Sequence, residues 1–201
     1  MSAEYLIPGA TAVGIAFSDG VVLAAEKRFA YGNFIVSRSG KKVFRITDGV
    51  GAAFAGMIGD MQVLVKYVQS IVKLKELEEL RAATPRSIAK LMGVIMYEQR
   101  LTPLLTQVIV GGVGDGEPPE IYVLDPLGSV IPDKYAAVGT GAETAISVVE
   151  SGYREGAKAE EAVDLAVRAI RSAILRDAAS GDGVDVLIIT RSGSEERSLT
   201  F

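Results

Sequence analysis

The sequence predicts an α+β fold in which two antiparallel sheets pack face to face and a pair of helices covers the outside of each sheet. Strands come in hairpins at the N-terminal end, helical periodicity appears in two separate pairs of segments, and strands and helices do not alternate singly as in a doubly wound sheet. The chain has 201 residues, of which 49% are hydrophobic and 23% charged. That length and composition suit one globular domain.

Two hairpins are predicted first. Val13, Ile15 and Phe17 share one face of a strand whose other face carries small residues, so a second sheet can lie close over the small face. Turns with Asp-Gly follow the first and third strands. The predicted strands are residues 12–17, 21–25, 43–46 and 50–55, and the turns are Ser18-Asp19-Gly20 and Thr47-Asp48-Gly49.

Four helices and four more strands follow. Thr84-Pro85 predicts an N-cap with proline at the first helical position, a third helix begins near Ala142, and a fourth runs from about Ala159. Each long helix carries an apolar stripe that we expect to be buried. These stripes are Leu64, Tyr67, Val68, Ile71 and Leu74, then Ile88, Leu91, Met92, Ile95 and Met96, and finally Val163, Ala166, Val167, Ile170 and Ile174. The later strands are predicted at residues 106–112, 120–125, 135–139 and, as the last element, 184–190.

Three residue types are missing from the chain: Cys, His and Trp. Their absence excludes disulfides, thiolate or imidazole metal sites, and hydrolases whose general base is histidine. Any hydrolytic base must therefore be an amine or a carboxylate, and we expect no metal or cofactor. The net charge of −4 gives no bias toward nucleic acid. No apolar stretch approaches the roughly 20 residues that cross a membrane, and residues 1–9 lack the pattern of a secretory signal, so we expect a cytoplasmic protein.

Two glycine-rich segments raise the alternative of a nucleotide-binding protein. Residues 111–116 lie between two predicted strands, which favours a hairpin loop. Residues 139–143 lie between a strand and a helix, but they lack the third glycine of a dinucleotide fingerprint and place Glu143 where it would repel a phosphate. This alternative is therefore the weaker one.

The pair Lys41-Lys42 directly precedes a strand. Two solvated surface lysines are the ordinary interpretation, but alternation along the strand can turn one of them inward. A buried ammonium needs a carboxylate partner, and burial lowers its pKa. Glu26 and Asp177, each at the end of a predicted element, are the candidate partners.

A set of short segments in a fixed order resembles the β-type subunits of archaeal proteasome core particles, which are N-terminal nucleophile hydrolases. The resemblance extends from about Gly9 to the last predicted strand and implies the four-layer αββα sandwich of that family. The segments are Gly9 to Gly14, Asp19 to Glu26, Gly40-Lys41-Lys42, Ala55-Gly56, Gly59-Asp60, Gly139-Thr140-Gly141 and Arg176 to Gly183.

The resemblance also implies the chemistry. In the family a propeptide is removed after a glycine, the exposed threonine attacks the peptide bond, and its free α-amine moves the proton. Residues 1–9 then correspond to a propeptide-like segment ending at Gly9, and residues 10–201 to the β-type domain. The implied site comprises the lysine Lys42, the carboxylate Glu26, the oxyanion-binding Gly56, and the supporting groups Thr140, Asp177 and Ser180; Phe29, Phe54 and Ile58 line the substrate pocket.

The decisive departure is Ala10, which stands where the family has its nucleophilic threonine. A methyl group cannot attack a carbonyl. Thr11 is a poor substitute, because a shift of one residue along a strand turns the side chain to the other face. The resemblance therefore implies a catalytically silent subunit with a structural role in the β ring.

Two alternatives remain open at this stage. The chain is either a naturally silent subunit or an active threonine endopeptidase subunit, and the latter either uses an unrecognised residue or was disabled by substitution and captured as a precursor. Ala12, also a departure from the usual threonine, favours a natural variant. The resemblance further implies α subunits and other β subunits in stacked seven-membered rings, a regulatory ATPase that acts on the whole particle, and unfolded polypeptides as substrates.

Overall fold

The computed structural model describes residues 9–200, and within them two five-stranded antiparallel sheets pack against each other. The first sheet has the order β10-β1-β2-β11-β12 and the second the order β5-β6-β7-β8-β9. A separate two-stranded hairpin, β3-β4, comes between β2 and β5 in the chain. The strands are β1 Thr11–Phe17, β2 Gly20–Glu26, β3 Phe29–Tyr31, β4 Phe34–Ser37, β5 Val43–Arg45, β6 Val50–Gly56, β7 Thr106–Gly112, β8 Glu120–Leu124, β9 Val130–Asp133, β10 Tyr135–Gly139, β11 Val184–Thr190 and β12 Gly193–Leu199.

Two pairs of helices cover the outer faces of the sheets. The helices are α1 Ile58–Glu79, α2 Pro85–Glu98, α3 Ala142–Gly152 and α4 Ala159–Ile174. One apolar cluster joins α3 and α4 to the first sheet, a second joins α1 and α2 to the second sheet, and a third lies between the sheets. The predicted α+β fold with its αββα layers is therefore confirmed. Among the described residues, no helix is both long enough and apolar enough to span a membrane.

The two faces of β1 differ as the alternation predicts. Val13, Ile15 and Phe17 pack toward α3 and α4, whereas the small residues face the second sheet. Gly14 shows how close the sheets are, because a Cβ atom there would lie 2.6 Å from Cγ2 of Ile109. Small side chains on this face let the backbones of the two sheets approach each other, so the interior between the sheets is densely packed.

Parts of the sequence prediction were wrong. Tyr67 and Leu74 of α1 are more than half exposed, because the buried stripe of this helix runs instead through Met61, Leu64, Val65, Val68 and Val72. The strand 184–190 is not the last element, since β12 follows it along the edge of the first sheet. The pattern gave no signal for β12 because five of its seven residues are exposed and its sequence is polar.

Candidate active site

The implied site residues meet at one edge of the sandwich, where strands of both sheets end. Ala10 directly precedes β1, Glu26 ends β2, and Thr140 directly follows β10. The register places Thr11 opposite Gly139 and Glu26 opposite Val184, at the start of β11. Antiparallel pairing thus brings four distant parts of the chain to one edge.

Glu26 and Lys42 form a buried ion pair. The Lys42 side chain is 1% exposed and that of Glu26 is 0% exposed, and Nζ donates to Oε1 of Glu26 at 2.7 Å. Nζ also donates to the backbone oxygens of Glu26 (3.2 Å) and Arg28 (2.5 Å). The second carboxylate oxygen, Oε2, accepts from the backbone N–H groups of Arg28 (2.6 Å) and Gly181 (2.9 Å). Each of the three N–H bonds of the ammonium therefore has an acceptor, and both carboxylate oxygens have donors.

Burial changes the protonation of this pair. Desolvation lowers the pKa of Lys42, against the opposing charge and hydrogen bond of Glu26. Desolvation likewise raises the pKa of Glu26, against the charge of Lys42 and two backbone hydrogen bonds. Both shifts reduce the cost of moving a proton from the lysine. The ionised form of the pair is therefore less favoured than that of the same two groups in water.

The neighbouring Lys41 points the other way. Its side chain is 49% exposed and Nζ contacts Oε2 of Glu196 at 2.8 Å. Asp177, the other carboxylate expected from the sequence to pair with a lysine, instead contacts hydroxyl groups. Strand alternation thus predicted that one of the two lysines turns inward, and the structure shows that this lysine is Lys42 and that its partner is Glu26.

Asp177 is the centre of a second cluster, made of hydroxyl groups. Its Oδ2 accepts from Oγ1 of Thr140 at 2.5 Å and from Oγ of Ser180 at 2.7 Å. The backbone N–H of Ala10 donates to Oγ1 of Thr140 at 3.2 Å, and the N–H of Thr140 donates to the oxygen of Ala10 at 2.9 Å. The position that resembles the nucleophile is thus held directly against this cluster.

Thr11 takes part in the same cluster. Its hydroxyl lies 2.8 Å from Oγ of Ser180, and the residue is 0% exposed. Since Ser180 gives its own proton to the carboxylate of Asp177, the Thr11 hydroxyl is the donor in this contact. A hydroxyl enclosed in this way is out of reach of a polypeptide substrate.

Two glycines of the site are required by close contacts. Gly56 has φ +130°, and a Cβ atom there would collide with the backbone oxygen of Leu105. A Cβ atom at Gly9 would overlap Cβ of Ala179 and lie 2.9 Å from Oγ1 of Thr140. Of the propeptide-like segment predicted at residues 1–9, only Gly9 is among the described residues.

The three residues expected to line a substrate pocket are not equivalent. Phe29 and Ile58 both lie close to Gly40, where a Cβ atom would be 3.6 Å from Cβ of Phe29 and 3.0 Å from Cδ1 of Ile58. Phe54 is 0% exposed and packs edge-on against Phe44, with 5.7 Å between ring centroids. Phe54 therefore contributes no exposed surface to such a pocket.

The glycine-rich start of α3 has no room for a phosphate. A Cβ atom at Gly141 would collide with Oγ1 of Thr11 and lie 3.4 Å from a carboxylate oxygen of Asp177. The N-terminus of this helix thus already faces a carboxylate of the chain itself. This geometry argues against the nucleotide-binding alternative.

Sequence reasoning missed two residues that contact the site. Arg28 and Asp182 form an ion pair with 2.9 Å between Nε and Oδ2. Arg28 follows Glu26-Lys27 and looks like part of a solvated charge run, and Asp182 looks like an ordinary turn residue. No local pattern could pair them, because they lie 154 residues apart.

Comparisons with known proteins agree with this geometry. The family described as "Proteasome subunit" matches residues 8–189. The chain belongs to the proteasome subunit family. It is 56% identical over 190 residues to Proteasome subunit beta 1 of Nitrosopumilus maritimus (strain SCM1), covering 94% of this chain and 95% of that protein. Identity is 55% over 190 residues to Proteasome subunit beta 1 of Cenarchaeum symbiosum (strain A), covering 94% of this chain and 97% of that protein.

A relative with another subunit label is also similar. Proteasome subunit beta 2 of Thermofilum pendens (strain DSM 2475 / Hrk 5) is 48% identical over 193 residues, which cover 96% of this chain and 94% of that protein. Together with the family match, these similarities identify a proteasome β subunit of the core particle, a protease in which it assembles with other proteasome subunits.

Proposed function

We propose that this proteasome β subunit is catalytically silent at its own site and acts structurally in the β ring. The observation that carries the proposal is Ala10, which directly precedes β1, is hydrogen-bonded to Thr140 and has no hydroxyl to attack a carbonyl. The proposed particle consists of stacked seven-membered rings of α and β subunits in the cytoplasm. A regulatory ATPase supplies it with unfolded polypeptides.

A second feature supports silence. In the family's mechanism the proton acceptor is the α-amine that is freed when the propeptide is removed, and until that removal the nitrogen of Ala10 is an amide joined to Gly9. It donates a hydrogen bond to Thr140, and an amide nitrogen has no basic lone pair. Nucleophile and base are therefore lacking together, because removing the segment before Ala10 would itself need the missing hydroxyl.

The remaining groups of the site are in place. The ion pair of Glu26 with Lys42 and the hydroxyl cluster of Asp177 both have full sets of hydrogen-bond partners. We therefore propose that the site lacks its nucleophile but is otherwise able to support threonine endopeptidase chemistry.

The test is Ala10→Thr, with Ala10→Val as the matched control because valine has the shape of threonine without its hydroxyl. Each chain is assembled with its α subunit, and turnover of a fluorogenic peptide and intact mass are measured. We expect Ala10→Thr to lose residues 1–9 and to gain peptidase activity on the order of 10⁶-fold over the unaltered chain. Ala10→Val should remain full-length and inactive.

Two results would contradict the proposal. Turnover by particles whose only β chain is the unaltered one, or covalent capture of an epoxyketone by that chain, would show an active endopeptidase. An assembled Ala10→Thr chain that stays full-length would show that the rest of the site is not competent.

A further inference from the structure

We propose that Arg28 is a positioning residue: its ion pair with Asp182 ties the loop that carries Asp177 and Ser180 to the strand end that carries Glu26. Arg28 lies two residues after the end of β2. The loop, residues 177–183, is part of the connection from α4 to β11. Glu26 of the ion pair lies on the first segment, and Asp177 and Ser180 of the hydroxyl cluster lie on the second. The position of these groups relative to one another therefore depends on what joins the two segments.

The side chain of Arg28 contacts the loop at three points. Nε donates to Oδ2 of Asp182 at 2.9 Å, and Nη1 donates to the backbone oxygen of Ala178 at 2.9 Å. The guanidinium also covers Gly181 so closely that a Cβ atom there would collide with it. A planar group with donors in several directions is needed for all three contacts, and lysine could reproduce only part of them.

The backbone of the same residue binds the ion pair. The N–H of Arg28 donates to Oε2 of Glu26 at 2.6 Å, and its oxygen accepts from Nζ of Lys42 at 2.5 Å. Gly181 donates to the same Oε2 at 2.9 Å. Any shift of the loop relative to Arg28 therefore disturbs the carboxylate of Glu26 on one side and the hydroxyl of Ser180 on the other.

Asp182 has features of a residue held in place for this contact. It has φ +69°, a left-handed conformation that few residues other than glycine adopt, and aspartate and asparagine adopt it most readily. Its side chain is only 8% exposed. Ion pairs between fully exposed side chains, by contrast, contribute little to stability. A second arginine, Arg38, contacts its other oxygen at 3.3 Å but is 73% exposed and provides a natural control.

The first test needs no catalysis and uses assembled particles of the otherwise unaltered chain. Hydrogen–deuterium exchange is followed in the peptide that spans residues 177–183. We expect Arg28→Gln and Asp182→Asn to speed exchange there by about tenfold, since the loop opens more often; asparagine keeps the preference for the left-handed conformation. Arg38→Gln should leave exchange unchanged. Unchanged exchange in Asp182→Asn, or in Arg28→Gln where it assembles, would overturn the inference.

The second test separates positioning from general stability and rests on the proposed function, because it uses the Ala10→Thr chain. Arg28→Gln in that chain should lower kcat on the order of tenfold or more and leave KM within about twofold, because catalytic groups are misplaced while substrate binding is kept. Arg28→Lys should recover part of the loss, and Arg38→Gln should match its parent. Equal kcat in Arg28→Gln and its parent would refute the positioning role.

The failures of the two proposals are distinguishable. An inactive Ala10→Thr chain contradicts the proposed function alone, and the exchange test then still decides the role of Arg28. An active Ala10→Thr chain with unchanged exchange and kcat in the Arg28 variants contradicts only the present inference.

Discussion

The two clusters that flank Ala10 are built on different physical principles. Glu26 and Lys42 are opposite charges enclosed from solvent, with side chains 0% and 1% exposed. In the second cluster the hydroxyl groups of Thr140 and Ser180 donate to the half-buried carboxylate of Asp177, and Thr140 is exposed. Removing one partner from the first cluster leaves an uncompensated buried charge, whereas removing a hydroxyl from the second leaves only an unsatisfied polar group.

This difference affects how the proposed silent site should be interpreted. Losing one partner of the buried ion pair is costly whether or not the pair takes part in catalysis, so the presence of the pair alone says little about catalysis. The exposed hydroxyl of Thr140 has a smaller effect on stability, so its presence is the better sign that the site was built for chemistry. The comparison can be tested by changing each cluster in turn.

The largest expected effect is that of Lys42→Met. The substitution leaves the Glu26 carboxylate buried without its counter-ion and should lower the free energy of unfolding by about 3–5 kcal/mol. Urea denaturation measures the change. Lys41→Met is the matched control, because its ammonium is half exposed, and it should stay within about 0.5 kcal/mol. Equal effects of the two substitutions would remove the distinction between the clusters.

Ser180→Ala should have an intermediate effect. It removes the hydroxyl that joins Asp177 to Thr11, so the fully buried Thr11 hydroxyl loses its partner. We expect a loss of about 1–3 kcal/mol in the free energy of unfolding, measured by urea denaturation. Ser147→Ala, an exposed hydroxyl on α3, is the control and should have little effect. A loss as large as that of Lys42→Met would contradict the comparison.

The smallest expected effect is a pH dependence confined to the ion pair. The raised pKa of Glu26 means that, at pH values just above 4.5, this carboxyl group still holds its proton in the folded chain but has lost it in the unfolded chain. The free energy of unfolding should therefore fall as the pH rises from 4.5 to the pKa of the folded chain. The lowered pKa of Lys42 means that, as the pH falls below 10.5, the amine is protonated in the unfolded chain before it is protonated in the folded chain. The free energy of unfolding should therefore fall as the pH drops from 10.5 to the pKa of the folded chain.

Urea denaturation across this pH range tests both windows. The control is the double variant Glu26→Gln with Lys42→Met, which has neither group. We expect the free energy of unfolding of the unaltered chain, relative to that of the double variant, to be lowest at intermediate pH and to increase toward both ends of the range. Parallel curves would contradict both shifts.

Much of the fold could be predicted because buried elements leave periodic patterns. The close packing of β1 on the second sheet follows from its small residues, and the N-terminus of α2 follows from Thr84-Pro85, whose threonine side chain accepts from the N–H of Ser87. Short or exposed strands leave no such pattern. The hairpin β3-β4 and the edge strands β9 and β12 were missed for this reason.

The site could be predicted only in part. Strand alternation predicts only that either Lys41 or Lys42 turns inward and needs Glu26 or Asp177 as its partner. The resemblance implies that the pair is Lys42 with Glu26, and it implies the remaining residues. Arg28 and Asp182 were not accessible, since their pairing depends on how the loop after α4 returns to the end of β2. Only the three-dimensional structure determines such a contact.

The glycine contact between the sheets has a mechanical consequence. Gly14 leaves no gap against Ile109, and a single added carbon would push the sheets apart, so one sheet cannot slide over the other without steric overlap. We therefore expect the two sheets to move as one rigid block. A change of shape within this subunit that keeps the contact intact would then have to involve the outer helices and the connecting loops.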